Sequence, residues 1–134
     1  MALNPKTCVN VRNAALNALT TEVGASGKMI WYDGTQPTDP DTALSSNNVI
    51  VTLACSATFA AAAAAGSMTV NAITGANASA TGNPTTFYSF TTSGSVRKHD
   101  GSIGTSGANL NLNSVTVGSG SACACSSFTL SMAA

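Results

Sequence analysis

This sequence predicts an all-β fold, an antiparallel β-sandwich of jelly-roll or immunoglobulin-like type, carrying one N-terminal α-helix. Three observations point there. Seven or eight short apolar segments, most of them separated by Gly, Asn, Ser or Pro turns, fill residues 28–132. The clearest alternates with period two: Val49, Val51, Leu53, Cys55, Ala57 and Phe59 share one parity, while Thr52, Ala54, Ser56 and Thr58 take the other. Helical periodicity is confined to the beginning of the chain. The 134 residues suit a single domain, with a helix over 5–23 and a sandwich over 27–132. That length is enough to bury roughly 65–70% of the surface the unfolded chain exposes.

The helix is framed by Asn4 as N-cap, Pro5 at the first helical position and Gly24 beyond its end. Cys8, Val11, Ala15, Leu19 and Val23 recur at three- and four-residue spacing, with Leu16 beside them, and this narrow stripe is expected to lie on the chain's own sheet in preference to a neighbouring subunit. Residues 28–33, Lys-Met-Ile-Trp-Tyr-Asp, are apolar on both parities, which suits a central strand with Trp31 in the core. Pro37 and Pro40 make residues 34–41 a loop.

The alanine run 60–65 is too short to hold a helix alone and is expected to end a strand or form a tight turn. Residues 75–84 read as a projecting loop. Residues 85–92, with Phe87, Tyr88 and Phe90, read as another interior strand. A short strand over 96–99 should turn at Asp100-Gly101 into a strand starting at Leu110. There Leu110, Leu112, Val115 and Val117 all face inward only if a bulge lies near 113–114. The last strand, 122–132, needs a second bulge to bring in both Cys123 and Cys125 and then Phe128, Leu130 and Met132.

Charge is scarce and localised. Only 7% of residues are charged, against about 25% in ordinary soluble domains, and residues 42–96 and 101–134 carry none. A surface so poor in charge suits protein–protein contact better than life as a free monomer. A formal net charge of zero leaves no basic footprint for nucleic acid or anionic membrane, and no apolar run approaches the ~20 residues of a membrane helix. The first residues lack a basic segment leading into an apolar one, so cytoplasmic synthesis is expected, and with it free thiols at Cys8, Cys55, Cys123 and Cys125.

Motifs that carry chemistry are few. His99 beside Asp100 is not a ready acid–base dyad, because neighbouring strand residues point to opposite faces; it reads as a surface histidine at a turn. Asp33, Asp39 and Asp41 offer oxygen ligands to calcium but match no EF-hand spacing, and Asp39 and Asp41 read better as turn residues. Cys123-Ala-Cys125 would need further ligands for zinc, for which His99, Cys8 and Cys55 form only a loose set, and the pair reads better as buried small apolar residues. No phosphate loop or nucleophile elbow is present. No catalytic residue, metal or cofactor is assigned.

Four segments together resemble a family of small tailed-phage virion proteins. They are Ile30-Trp-Tyr-Asp-Gly-Thr-Gln-Pro37, Thr42-Ala-Leu44 leading into Val49-Ile-Val-Thr-Leu53, Asp100-Gly-Ser-Ile-Gly-Thr-Ser-Gly-Ala-Asn-Leu-Asn-Leu112 with Asn113, and Ser127-Phe-Thr-Leu130. The family's corresponding segments read "YSGTQP…TAL" and "DGSVGTSGADLNLN". This chain departs from them at Trp31-Tyr32, at Arg97-Lys98-His99 and in its four cysteines. The resemblance implies a non-enzymatic capsid decoration or cement protein on the outer capsid surface, with the major capsid protein as partner and self-association as a dimer or trimer. A receptor- or glycan-binding module of a fibre or tail tip is the alternative. The uncharged strand edges and small side chains around Ala54, Ala60, Ala62, Ala64 and Gly66 form the first candidate interface. The charged group Lys6, Arg12, Arg97, Lys98 and His99 forms the second.

Overall fold

The computed structural model describes residues 5–81 and 84–132. In chain order these form α1 (Val9–Val23), β1 (Lys28–Asp33), β2 (Val49–Ala54), β3 (Ser67–Thr69), β4 (Ala76–Asn77), β5 (Thr85–Thr91), β6 (Arg97–Gly104), β7 (Leu110–Asn111), β8 (Ala122–Cys123) and β9 (Thr129–Ser131). The fold is mostly β with one helix. Its main body is a five-stranded sheet of order β2-β1-β5-β6-β7, antiparallel except where β7 runs parallel to β6. Two two-stranded ladders, β3-β9 and β4-β8, complete it.

The sheet's two faces follow from strand alternation. Met29, Trp31, Val51, Leu53, Tyr88, Phe90 and Ile103 point to the main core, where they meet Phe59, Met68, Val117, Cys123, Cys125 and Phe128. As predicted, β1 is central and Trp31 is buried, at 2% exposure. Ile50 joins this core because a bulge opposite Trp31/Tyr32 inserts it as the extra residue of β2. The other face carries Ile30, Tyr32, Phe87, Ser89 and Thr91, also buried. The 34–48 connection folds back over that face and is fastened there. Asp33 accepts hydrogen bonds from the Asn48 N–H (2.7 Å) and Nδ2 (3.0 Å), and Thr86 Oγ1 donates to the Gly34 carbonyl (2.6 Å).

The helix begins at Val9, not Pro5, and Asn4 lies outside the described residues. Cys8 sits in extended conformation (φ −66°, ψ 158°) with no side-chain cap, and the Arg12 N–H makes the first helical bond to its carbonyl. Thr7 and Cys8 are both weak helix formers. The buried stripe is shorter than predicted: Leu16, Leu19 and Val23 pack on the core, whereas Cys8 and Val11 are exposed.

Polar side chains of the same helix bind the alanine run. Asn17 Oδ1 accepts from the Ala63 N–H (2.8 Å) and Asn13 Oδ1 from the Gly66 N–H (2.9 Å). The run itself forms one arm of a hairpin, with bridges Ala60↔Val70 and Ala64↔Ser67 around a turn in which Ala65 (φ 53°) and Gly66 (φ 75°) are both left-handed.

Three loop expectations are corrected. Asp100-Gly101 is no turn, since both residues lie within the eight-residue β6. Glycine is needed there because a Cβ at Gly101 would strike the Tyr88 ring and hydroxyl across the ladder. Residues 75–81 do not project: β4 pairs with β8, Ala78 is buried, and the Ser79 N–H donates to the Ile50 carbonyl (2.8 Å). Gly82 and Asn83 lie outside the described residues. Leu110, Leu112, Val115 and Val117 do all pack inward, but through irregular chain beyond the two-residue β7 and not through one bulged strand.

Candidate functional site

Two polar constructions flank β6, one on each face of the sheet. On the face under the 34–48 strap, Arg97 Nη2 lies 3.2 Å from Asp100 Oδ2. The same nitrogen donates to the Asp39 carbonyl (2.8 Å) and the Thr42 carbonyl (2.9 Å). Residues three apart on a regular strand point to opposite faces. Here the register shifts between Phe90↔His99 and Thr91↔Arg97, so Lys98 is an extra residue and Arg97 falls on the same face as Asp100. The pair is buried, with side-chain exposures of 6% and 3%. Ser89, directly opposite Asp100, has no hydrogen-bond partner for its hydroxyl among the described residues, and neither do the Asp100 carboxylate oxygens beyond the ion pair.

On the other face His99 is half-buried, its Nε2 3.2 Å from the Tyr88 hydroxyl and its ring beside Phe90. The surface-turn reading of His99 is therefore overturned. Burial lowers the His99 pKa below its ordinary 6.5, and the Asp100 carboxylate opposes that shift only in part. Burial raises the Tyr88 phenol. His99 lies at the junction of two grooves. One, of about 230 Å³, is lined by Tyr88, His99, Asp100, Phe128, Thr129 and Ser131 among others. The second, of about 250 Å³, continues past Leu130 and Met132 beneath Leu16 and Leu19 of the helix.

The predicted interface residues divide. Ala54, Ala62, Ala64 and Lys6 are exposed. Ala60 (4% exposed), Gly66 and Arg97 are buried and offer no side chain to a partner. Gly66 lies under the Arg12 guanidinium, whose Nη1 donates to the Met132 carbonyl (3.3 Å), so the helix and the alanine hairpin form one contiguous surface. Lys98 pairs with Glu22 at 3.0 Å in an exposed bridge of small energetic weight. The outer edge of β2 is already covered by the chain itself: the Thr74 N–H donates to the Ala54 carbonyl (2.8 Å), and Ser79 bonds Ile50 as above.

The acidic loop residues serve the fold. Asp39 Oδ1 accepts from the Thr42 N–H (2.8 Å) and hydroxyl (2.9 Å), and these bonds lower its pKa, as those from Asn48 lower that of Asp33. Among the described residues no three His, Cys, Asp or Glu side chains converge as metal ligands. All four cysteines are free thiols, Cys8 exposed and the other three buried. A cleft of about 250 Å³ opens beside Trp31 between residues 112–117 and 121–124, lined by neutral groups. Asn13, Asn17 and the Arg97–Asp100 pair escaped sequence reasoning. Asn13 and Asn17, spaced i, i+4 on a helix, were the one visible signal of a shared polar contact.

Comparison with protein families, with curated proteins and with solved structures finds no match to this chain.

Proposed function

We propose that this chain is a non-enzymatic virion protein that binds the outer surface of a phage capsid and bridges adjacent capsid subunits. One observation carries the reading beyond the segment resemblance: a surface of small, uncharged side chains, Ala54, Ala57, Ala61, Ala62, Ala64 and Ala65, is exposed within a stretch of 55 residues, 42–96, that has no charge at all. Such small side chains let another backbone approach closely, and with no charge to bury the contact costs little desolvation. The Asn13 and Asn17 bonds hold it in shape, so a partner meets a preformed surface. Repeated over many copies, modest burial at each joint would stiffen a shell. In this reading the β3-β9 and β4-β8 ladders stand as the second layer of a sandwich whose first layer is the five-stranded sheet.

The alternative, a receptor- or glycan-binding tip module, would profit from an exposed aromatic platform. All seven aromatic residues, Trp31, Tyr32, Phe59, Phe87, Tyr88, Phe90 and Phe128, are buried, so the decoration reading is preferred. Lysine at Ala62 or Ala64 tests it: occupancy on purified shells should fall while the soluble chain stays folded. Unchanged occupancy for both variants would remove the alanine surface from the contact.

A further inference from the structure

Two strand edges, of β6 and β9, border the groove beneath His99, and among the described residues neither has a partner strand there. On β6, the Ser102 N–H donates to Asn109 Oδ1 (3.0 Å) and the Gly104 carbonyl accepts from Leu112 (2.8 Å), both on the side away from β5. By the two-residue repeat, the peptide groups of Asp100 point to that side too. The β7 ladder covers only Ile103 and Gly104. On β9, the Phe128 carbonyl accepts from Val70 and the Met132 N–H donates to Gly66, both at 2.9 Å, so the even positions are committed to β3. Thr129 and Ser131 therefore turn their peptide groups the other way. Three consecutive β9 residues, 129 to 131, and two consecutive β6 residues, His99 and Asp100, line the same groove. Side chains alternate across a strand, so only a groove running along the edges meets consecutive residues.

From this we infer that the groove accepts an extended, uncharged segment of another virion subunit as an added strand between β6 and β9. The assignment rests on the virion reading above. Main-chain bonds to Asp100, Thr129 and Ser131 would hold the segment, and Tyr88, His99 and Phe128 would receive its inward side chain. The lining offers it no charge: the Asp100 carboxylate is turned to the opposite face and paired with Arg97, and the half-buried His99 is neutral at pH 7. Free edges of this kind otherwise invite nonspecific pairing, and no lysine or proline guards either one at the groove. Strand addition would also join β3-β9 to the main sheet, closing the gap between them.

The test uses the whole chain and purified shells. Hydrogen exchange by mass spectrometry, compared between free and shell-bound chain, should show at least tenfold protection in peptides covering residues 98–101 and 128–132. Ser131→Pro removes an outward N–H while sparing the even-numbered bonds to β3, and edge positions tolerate proline. It should lower occupancy tenfold or more, whereas Ser131→Thr, which keeps the N–H, should not. Unprotected peptides in the bound chain, or full occupancy by Ser131→Pro, would overturn strand addition and leave shell binding intact. Protection that arises in concentrated free chain without shells would assign the groove to a second copy and also overturn it. Failure of the wild-type chain to bind shells would overturn the virion reading and this inference together.

Discussion

Arg97 Nη2 stands 3.2 Å from Asp100 Oδ2 beneath the 34–48 strap, and the same guanidinium holds two carbonyls of that strap. Removing one partner of a buried pair strands the other charge. Arg97→Met should therefore destabilise the fold by about 3–5 kcal/mol in denaturant unfolding and speed proteolysis within the strap. The double variant Arg97→Met/Asp100→Leu should recover part of that loss. Equal losses in the single and double variants would mean that the strap carbonyls, and not the ion pair, set the cost.

Helix and hairpin are joined by Asn13 and Asn17, which satisfy the N–H groups of Gly66 and Ala63. Asn17→Ala and Asn13→Ala should each cost about 1 kcal/mol and accelerate amide exchange at those two positions specifically. Exchange unchanged at both would show that the helix does not restrain the alanine surface.

Acid should act through His99. Because burial holds its folded-state pKa below 6.5, the unfolded chain takes up a proton at a pH where the folded chain does not. The stability contributed by the neutral ring is complete above about pH 6.5 and is lost as pH falls through the lowered folded-state value. Asp33 and Asp39, whose pKa values lie below 3.8, lose their contributions only at lower pH. Urea midpoints from pH 7.5 to 4.5 should decline for wild type, and His99→Asn should flatten that decline.

The thiols should separate by burial. Cys55 is pushed up to about 11, and burial raises Cys123 and Cys125 as well, so a thiol reagent at neutral pH should modify only Cys8 in the folded chain. Denaturation without reductant should expose all four. Rapid labelling of a second cysteine in the native state would contradict the core assignment.

Local patterns carried the elements whose signal is local. The double-sided apolarity of 28–33 and 85–92 identified the central strands, and the shortness of the alanine run argued correctly against a helix. The misreadings have a common physical origin in non-local contacts. Asp100-Gly101 has the chemistry of a turn, yet Gly101 is required because Tyr88, from the neighbouring strand β5, fills the space above it. Arg97 and Asp100 share a face only because of a bulge at Lys98 that no sequence pattern announces. The loop at 34–41 was legible from its prolines, but its anchorage to Arg97, 58 residues beyond Asp39, was not. Ala54 was expected to leave a bare edge; the chain covers it with Thr74. The edges without a partner strand among the described residues, on β6 and β9, lie where a turn and a bulged terminal strand were expected.

Copy number in purified virions tests the decoration reading most directly. Quantitative mass spectrometry against the major capsid protein should find hundreds of copies of this chain per particle, released together with loss of shell stability. A handful of copies per particle would place it at a tail or fibre tip, and none would contradict a virion role altogether.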